Sequence, residues 1–154
     1  MAVVVPLIDA KYLTVLPPGN LPYRVHLLGQ NLARKFQNML KPHGLTPFHW
    51  GVLCCLWQED GQPTLVLAAE LRQLPSTLTG VLKTMERRGL VRRELDAEDR
   101  RVWRVWLTDA GAALQPVLLP KAERLLRDVL SPLASTELNV FSGMVDRLTR
   151  NLGR

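Results

Sequence analysis

Residues 67–111 read LAAELRQLPSTLTGVLKTMERRGLVRRELDAEDRRVWRVWLTDAG, and the spacing of their apolar side chains changes along the stretch. Leu67, Ala68 and Leu71 recur at helical spacing, as do Leu78, Leu82 and Met85 further on. Two short amphipathic helices result, and each must bury its stripe against the other. Gln73 to Pro75 makes the turn between them, and proline suits the first helical turn, where an amide would lack an intrahelical partner anyway. Ser76, Thr77 and Thr79 fill the opening turns of the second helix. That helix ends at Arg87-Arg88-Gly89, with cations against its negative end and a glycine able to turn left-handed. Leu90 and Val91 begin a strand, a charged tip spans Glu94 to Arg101, and residues 102–107 alternate Val102, Arg104, Trp106 against Trp103, Val105, Leu107. The expected unit is helix, turn, helix and hairpin, followed by a new helix capped by Thr108.

Small hydroxyl residues at a helix start cap it everywhere. They also fit a major groove, where hydroxyls and free amides meet phosphates and base edges without obstruction. Between Lys83 and Arg104 there are eight basic side chains against five acidic ones, a net of +3. Such a run is often only a solvated face. Here the arginines gather at a hairpin tip beside a helix-turn-helix, where phosphate and minor-groove contacts are made. The fold class expected is mainly α with a small β-hairpin wing, a winged helix-turn-helix that binds DNA.

In order and spacing, Leu67-Ala68-x-x-Leu71, Pro75-Ser76-Thr77-Leu78-Thr79, Glu86-x-x-Gly89-Leu90-Val91-x-Arg93, Asp96-x-x-Asp99-x-Arg101 and Leu107-Thr108-x-x-Gly111 resemble the multiple antibiotic resistance regulator (MarR) family of transcription factors. Leu45-Thr46-Pro47-x-x-Trp50-x-Val52-Leu53 is similar to the family's second helix, so the likeness covers residues 21–150. It implies a single domain over 21–150, and residues 1–20 are left as an N-terminal arm. Within that domain, dimerisation helices from both chain ends span 21–45 and 109–150, and the winged-helix lobe spans 46–108. It further implies a homodimer on a pseudo-palindromic double-stranded DNA operator, a repressor's role, and a small aromatic or phenolic effector. By position, Ser76, Thr77, Thr79 and Lys83 face the major groove, Arg93, Arg100 and Arg101 serve the wing's DNA contacts, and Asp99 orders the wing by pairing with an arginine. Arg24, His26, His49 and Trp50 are the effector-site residues the resemblance suggests. Three departures stand out: Leu74 where relatives often carry a polar cap, Gly80 where many carry a long basic side chain, and His49 in place of a common glutamine in the second helix. The glycine weakens the helix by up to about 1 kcal/mol relative to alanine.

The chain's 154 residues and 47% apolar content fit one domain with a real core, and its net charge of +6 favours an anionic partner. No apolar run is long enough to span a bilayer and no signal peptide is evident, so a cytoplasmic protein is expected. Residues 1–20, broken by Pro6, Pro17 and Pro18, read as an apolar extended arm. From Tyr23 to Lys41, Val25, Leu28, Leu32, Phe36, Met39 and Leu40 form a helical stripe. Thr46-Pro47 starts the next helix, with Phe48, Val52, Leu53 and Leu56 inward until Asp60-Gly61. After the wing, one helix is expected from Thr108 to about Leu130 despite Pro116 and Pro120. A last helix starts at Ser135 or Thr136, with Leu138, Phe141, Val145 and Leu148 inward. These terminal stripes are wider than a small lobe can cover, which implies a partner chain.

Cys54 and Cys55 read as structural thiols, and His26, His43 and His49 are too scattered for a metal set. No metal or cofactor is expected. Trp50 and Trp103 are expected in the core. Trp106 shares a strand face with Arg104 and packs on a neighbour or lines a crevice. There is no phosphate loop, nucleophile elbow or paired carboxylates in an apolar setting, which argues against an enzyme. Asp96, Glu98 and Asp99 lie among arginines and order the wing instead. The rival reading is a winged-helix module that binds protein, or DNA without reading an operator.

Overall fold

The computed structural model describes residues 18–153, so the expected arm lies, up to residue 17, outside the described residues. The chain divides into two compact units, one ending at Trp50 and the other beginning at Gly51.

In the first unit, helix α1 spans Leu21–Leu40. Asn20 caps it, its side-chain oxygen accepting a hydrogen bond from the Tyr23 amide at 2.7 Å. A short 3-10 turn, Lys41–His43, follows, and Gly44 closes it in the left-handed conformation at φ 64°. The expected α1 stripe is buried only at its end. Leu40 is buried, Leu32, Phe36 and Met39 are half-buried, and Val25 and Leu28 are exposed. Helix α2, Pro47–Gln58, begins here and continues into the second unit. Its start is held reciprocally: the Thr46 hydroxyl accepts from the His49 amide and His49 Nδ1 accepts from the Thr46 amide, both at 3.2 Å. Trp50, expected in the core, is half-buried with its ring 6.4 Å from that of Phe36.

The second unit holds the lobe. Strand β1 is Gln62–Pro63, helix α3 is Thr64–Glu70 and helix α4 is Pro75–Arg87. Strands β2, Val91–Leu95, and β3, Trp103–Leu107, form the hairpin. The stripe residues Leu67, Leu78, Leu82 and Met85 are fully buried, together with Val52, Leu53, Leu56 and Val105. Helix α4 packs on α3 and β2, as its apolar face requires. Gly89 turns the chain out of α4 at φ 67°.

Three expectations need correction. First, the sheet has three strands in the order β1-β3-β2, all antiparallel, rather than a hairpin alone. Gln62 pairs with Val105 and Pro63 with Arg104, a two-residue strand too short to carry an alternation signal. Second, the helix after the wing breaks at Leu114 into α5, Asp109–Ala113, and α6, Gln115–Leu130. Pro116 takes the first turn of α6, where its missing amide is harmless, while Pro120 is carried inside. Third, Trp103 is 48% exposed. It shares a face with buried Val105 but sits at the tip end of β3 opposite Leu95, beyond the reach of the lobe's core.

Thr108 caps α5 as expected. Its hydroxyl accepts from the Gly111 amide at 3.1 Å and donates to the Gly89 carbonyl at 2.6 Å. Helix α7 spans Ser135–Leu152, and Glu137 in its first turn accepts from the Ala134 amide at 2.8 Å. Leu138 is half-buried, whereas Phe141, Val145 and Leu148 are exposed, so this stripe is not turned inward within one chain.

Candidate nucleic-acid interface

The outer face of α4 follows from its inner one. With Leu78, Leu82 and Met85 buried, Ser76, Thr77, Gly80, Lys83 and Arg87 fall on the exposed side. The helix is entered through Arg72 at φ 51° and Leu74, which offers no side-chain cap. Its first amides therefore have neither an intrahelical acceptor nor a capping oxygen from Leu74. The Thr79 hydroxyl bonds back to the Pro75 carbonyl at 2.8 Å, so of the three hydroxyls Thr79 is tied to its own helix. Ser76, Thr77 and Lys83 are exposed.

The wing tip is ordered chiefly by Asp96. One carboxylate oxygen accepts from the amides of Glu98 and Asp99 at 2.8 and 2.9 Å, and the other is paired with Arg104. The Arg104 guanidinium, followed by the two amides, holds the Asp96 carboxyl down at about 2. Arg104 also donates to the Gly61 carbonyl at 2.9 Å. Asp60 completes this clamp by accepting from the amides of Leu107 and Gly61 at 2.8 and 2.9 Å. Trp106 lies over Gly61, which adopts φ 73° and has no room for a Cβ, and Arg92 stands 5.6 Å from the indole centroid. This clamp joining the α2–β1 turn to the wing was not legible in the sequence, because its partners are 43 and 47 residues apart.

Asp99 pairs with Arg101 at 3.1 Å, on an arginine that is otherwise exposed at the tip beside exposed Arg100. Arg93 departs from its expected role. Its amide, Nε and a terminal nitrogen bond the Glu86 carboxylate at 3.1, 2.8 and 2.7 Å, so it ties β2 to α4 instead of reaching outward. The reason is register: Arg93 lies opposite Val105, on the sheet face that packs on the lobe.

Of the other expected residues, Arg24 and His26 lie on the exposed first turns of α1, with His26 6.3 Å from the Tyr23 ring. His49 is buried, with Nδ1 committed to the α2 cap. Among the described residues no three His, Cys, Asp or Glu side chains converge as a metal site would need. Burial pushes the Cys54 and Cys55 thiols up to about 11, aided at Cys54 by Cys55 and at Cys55 by Glu70.

A model of the MarR family matches residues 45–103. The chain is 34% identical over 97 residues to TtmR, an HTH-type transcriptional regulator of Methylorubrum extorquens (strain PA1), covering 63% of this chain and 50% of that protein. It thus spans about half the length of that relative. To the transcriptional regulator HosA of Escherichia coli it is 31% identical over 126 residues, covering 82% of this chain and 92% of HosA. The fold is similar to that of reduced AbfR bound to DNA, with a TM-score of 0.68, 27% identity, and coverage of 86% of this chain and 90% of that one.

Proposed function

Because this chain belongs to the MarR family of transcriptional regulators, we propose that it regulates transcription by reading a pseudo-palindromic operator as a homodimer. We assign it the role of a cytoplasmic repressor, with no catalytic activity, released by a small aromatic or phenolic effector. The observation that carries the reading is the exposed Ser76, Thr77 and Lys83 on α4, beside a wing whose ordered tip presents Arg100 and Arg101. Hydroxyls and amides of α4 would address base edges, Lys83 a phosphate, and the tip arginines the adjacent minor groove. Arg93 belongs to the frame that holds this surface.

The exposed apolar positions of α7, Val140, Phe141, Met144, Val145 and Leu148, support a partner chain. Two-fold symmetry would then set two copies of α4 about 34 Å apart, one turn of B-DNA. The dimerisation segments 21–45 and 109–150 and the lobe 46–108 are the division we propose. Arg24 and His26, exposed on α1, are the more accessible of the four effector residues, since His49 serves the cap. A ligand that favours the lobe spacing unsuited to the operator would lower DNA affinity by that preference.

The test is fluorescence anisotropy with DNA from upstream of the protein's own gene, against scrambled DNA, over a salt series. A preference of about a thousandfold or more establishes operator reading. Equal, steeply salt-dependent binding to every sequence, including sites enriched from a random pool, would show a module that binds DNA without reading it.

A further inference from the structure

The inward face of the hairpin outruns the lobe it covers. Along that face Leu107 pairs with Val91, Val105 with Arg93 and Trp103 with Leu95. Val91 and Val105 are buried, whereas Trp103 is 48% and Leu95 41% exposed. Both are held firmly. They form the last ladder pair before the tip, and the Thr64 hydroxyl at the start of α3 donates to the Trp103 carbonyl at 3.0 Å. Their chain neighbours Asp96 and Arg104 make the ion pair that orders the tip. A rigid, half-exposed indole offers contact area at little entropic cost. Unlike the exposed stripes of α1 and α7, this apolar pair belongs to the wing.

What flanks the pair identifies its ligand. On one side Arg93 stands 5.9 Å from the Trp103 ring centroid and is bound by Glu86, which lines an open depression on α4 with Gly80, Lys83 and Arg87. The Glu86 carboxylate is engaged, so the unbalanced charge of that depression is that of Lys83 and Arg87. On the other side, two residues along the chain from Trp103, are the exposed tip arginines Arg101 and Arg100. Cationic, apolar and cationic surface therefore follow one another from α4 to the wing tip. A nucleic-acid strand has the matching alternation, with apolar sugar rings set between its phosphates. An apolar protein surface would match the pair but not the cations on both sides of it.

We infer that Trp103 and Leu95 pack on deoxyribose rings of the operator backbone, between the phosphates addressed by Lys83 and Arg87 and the minor groove entered by the tip arginines. The inference rests on the DNA-reading function proposed above. Sugar contacts carry no base information, so the pair seats the wing and adds affinity while discrimination stays with α4. Burying it displaces water from apolar surface and releases no counterions. Loss of the indole therefore weakens binding without changing its salt dependence, which counts phosphate contacts.

The experiment takes the best site enriched by the wild type from random duplexes and titrates wild type, Trp103→Ala and Trp103→Phe with it by anisotropy over a salt series. In parallel, fluorine NMR of the full chain labelled with fluorotryptophan reads the solvent isotope shift of Trp103, whose resonance is the one missing from Trp103→Phe. Expected are a Kd raised about tenfold or more by Trp103→Ala, a smaller rise for Trp103→Phe, and an unchanged slope of log Kd against log salt. The Trp103 resonance should lose its isotope shift when the duplex binds. Binding by Trp103→Ala within about twofold of wild type would overturn the inference. So would a reduced salt slope, which would make the loss one of phosphate contacts, or a Trp103 resonance still open to solvent in the complex. The fluorine measurement is made on the wild-type sequence, so it decides the matter even where Trp103→Ala fails to fold. If the wild type enriches no preferred site, the DNA-reading function fails first and this inference with it.

Discussion

Arg93→Ala separates a DNA contact from a strut. Arg93 and Glu86 are 22% and 29% exposed at their side chains and joined by charge-assisted hydrogen bonds at 2.8 and 2.7 Å. Partial solvent screening puts such a pair at the lower end of the usual range, so the substitution should cost about 1–2 kcal/mol of folding stability. It also uncovers the Glu86 carboxylate next to Lys83 and Arg87. One unscreened charge about 8 Å from a phosphate in water is worth roughly 0.5 kcal/mol of repulsion. Two copies per operator give about 1 kcal/mol, or roughly fivefold in Kd. The double variant Glu86→Gln, Arg93→Ala removes that charge and should bind operator within about twofold of wild type, although it stays less stable in urea unfolding. The readouts are anisotropy titrations from low to moderate salt and the urea midpoint for all four members of the cycle. If Arg93 touched a phosphate, the double variant would remain weak and the slope of log Kd against log salt would drop by about one per protomer. That outcome would refute the strut.

Three further outcomes follow from the geometry. Gly111→Ala would drive a methyl group into the Leu90 carbonyl and disturb the carbonyl that accepts from Trp57 Nε1 at 3.1 Å. A loss of about 2–4 kcal/mol in chemical unfolding is expected, and a loss under about 1 kcal/mol would contradict it. The Asp96 carboxyl is held near 2 against an ordinary 3.8, so the stability it contributes is complete above about pH 4 and is lost as pH falls toward 2. The melting temperatures of wild type and Asp96→Asn should therefore converge between pH 5 and 2, and a constant gap would exclude this role. Cys54 and Cys55, raised to about 11 from 9.0, carry roughly a hundredfold less thiolate than unfolded thiols near pH 8. Alkylation by iodoacetamide should be at least about tenfold slower in the native protein than in urea. Equal rates would show open thiols.

Some features were legible because their causes lie within a few residues of one another. The Leu78, Leu82, Met85 stripe, the Thr108 cap and the Gly89 turn each depend on positions up to four apart. Periodicity and capping chemistry report such neighbours directly. The outward side of α4 then follows from its inward side, so the exposure of Ser76, Thr77 and Lys83 could be read in advance. The same logic failed where burial depends on what lies across the lobe. Alternation alone put Trp103 with Val105, yet Val105 is fully buried and Trp103 is 48% exposed. It likewise gave no sign that Arg93 faces Glu86 and not solvent.

By itself, then, the sequence determined the helix-turn-helix and hairpin, the inner face of α4 and the cationic wing tip, since all are set by local spacing, turns and charge. Tertiary structure alone decided that Gln62–Pro63 joins the sheet, that Arg104 and Asp60 clamp the wing to the α2–β1 turn, and that Arg93 is turned inward. Those outcomes depend on which groups the folded chain brings within 3 Å of each other. Chain folding closes those distances between residues up to 47 positions apart, and no local pattern records them.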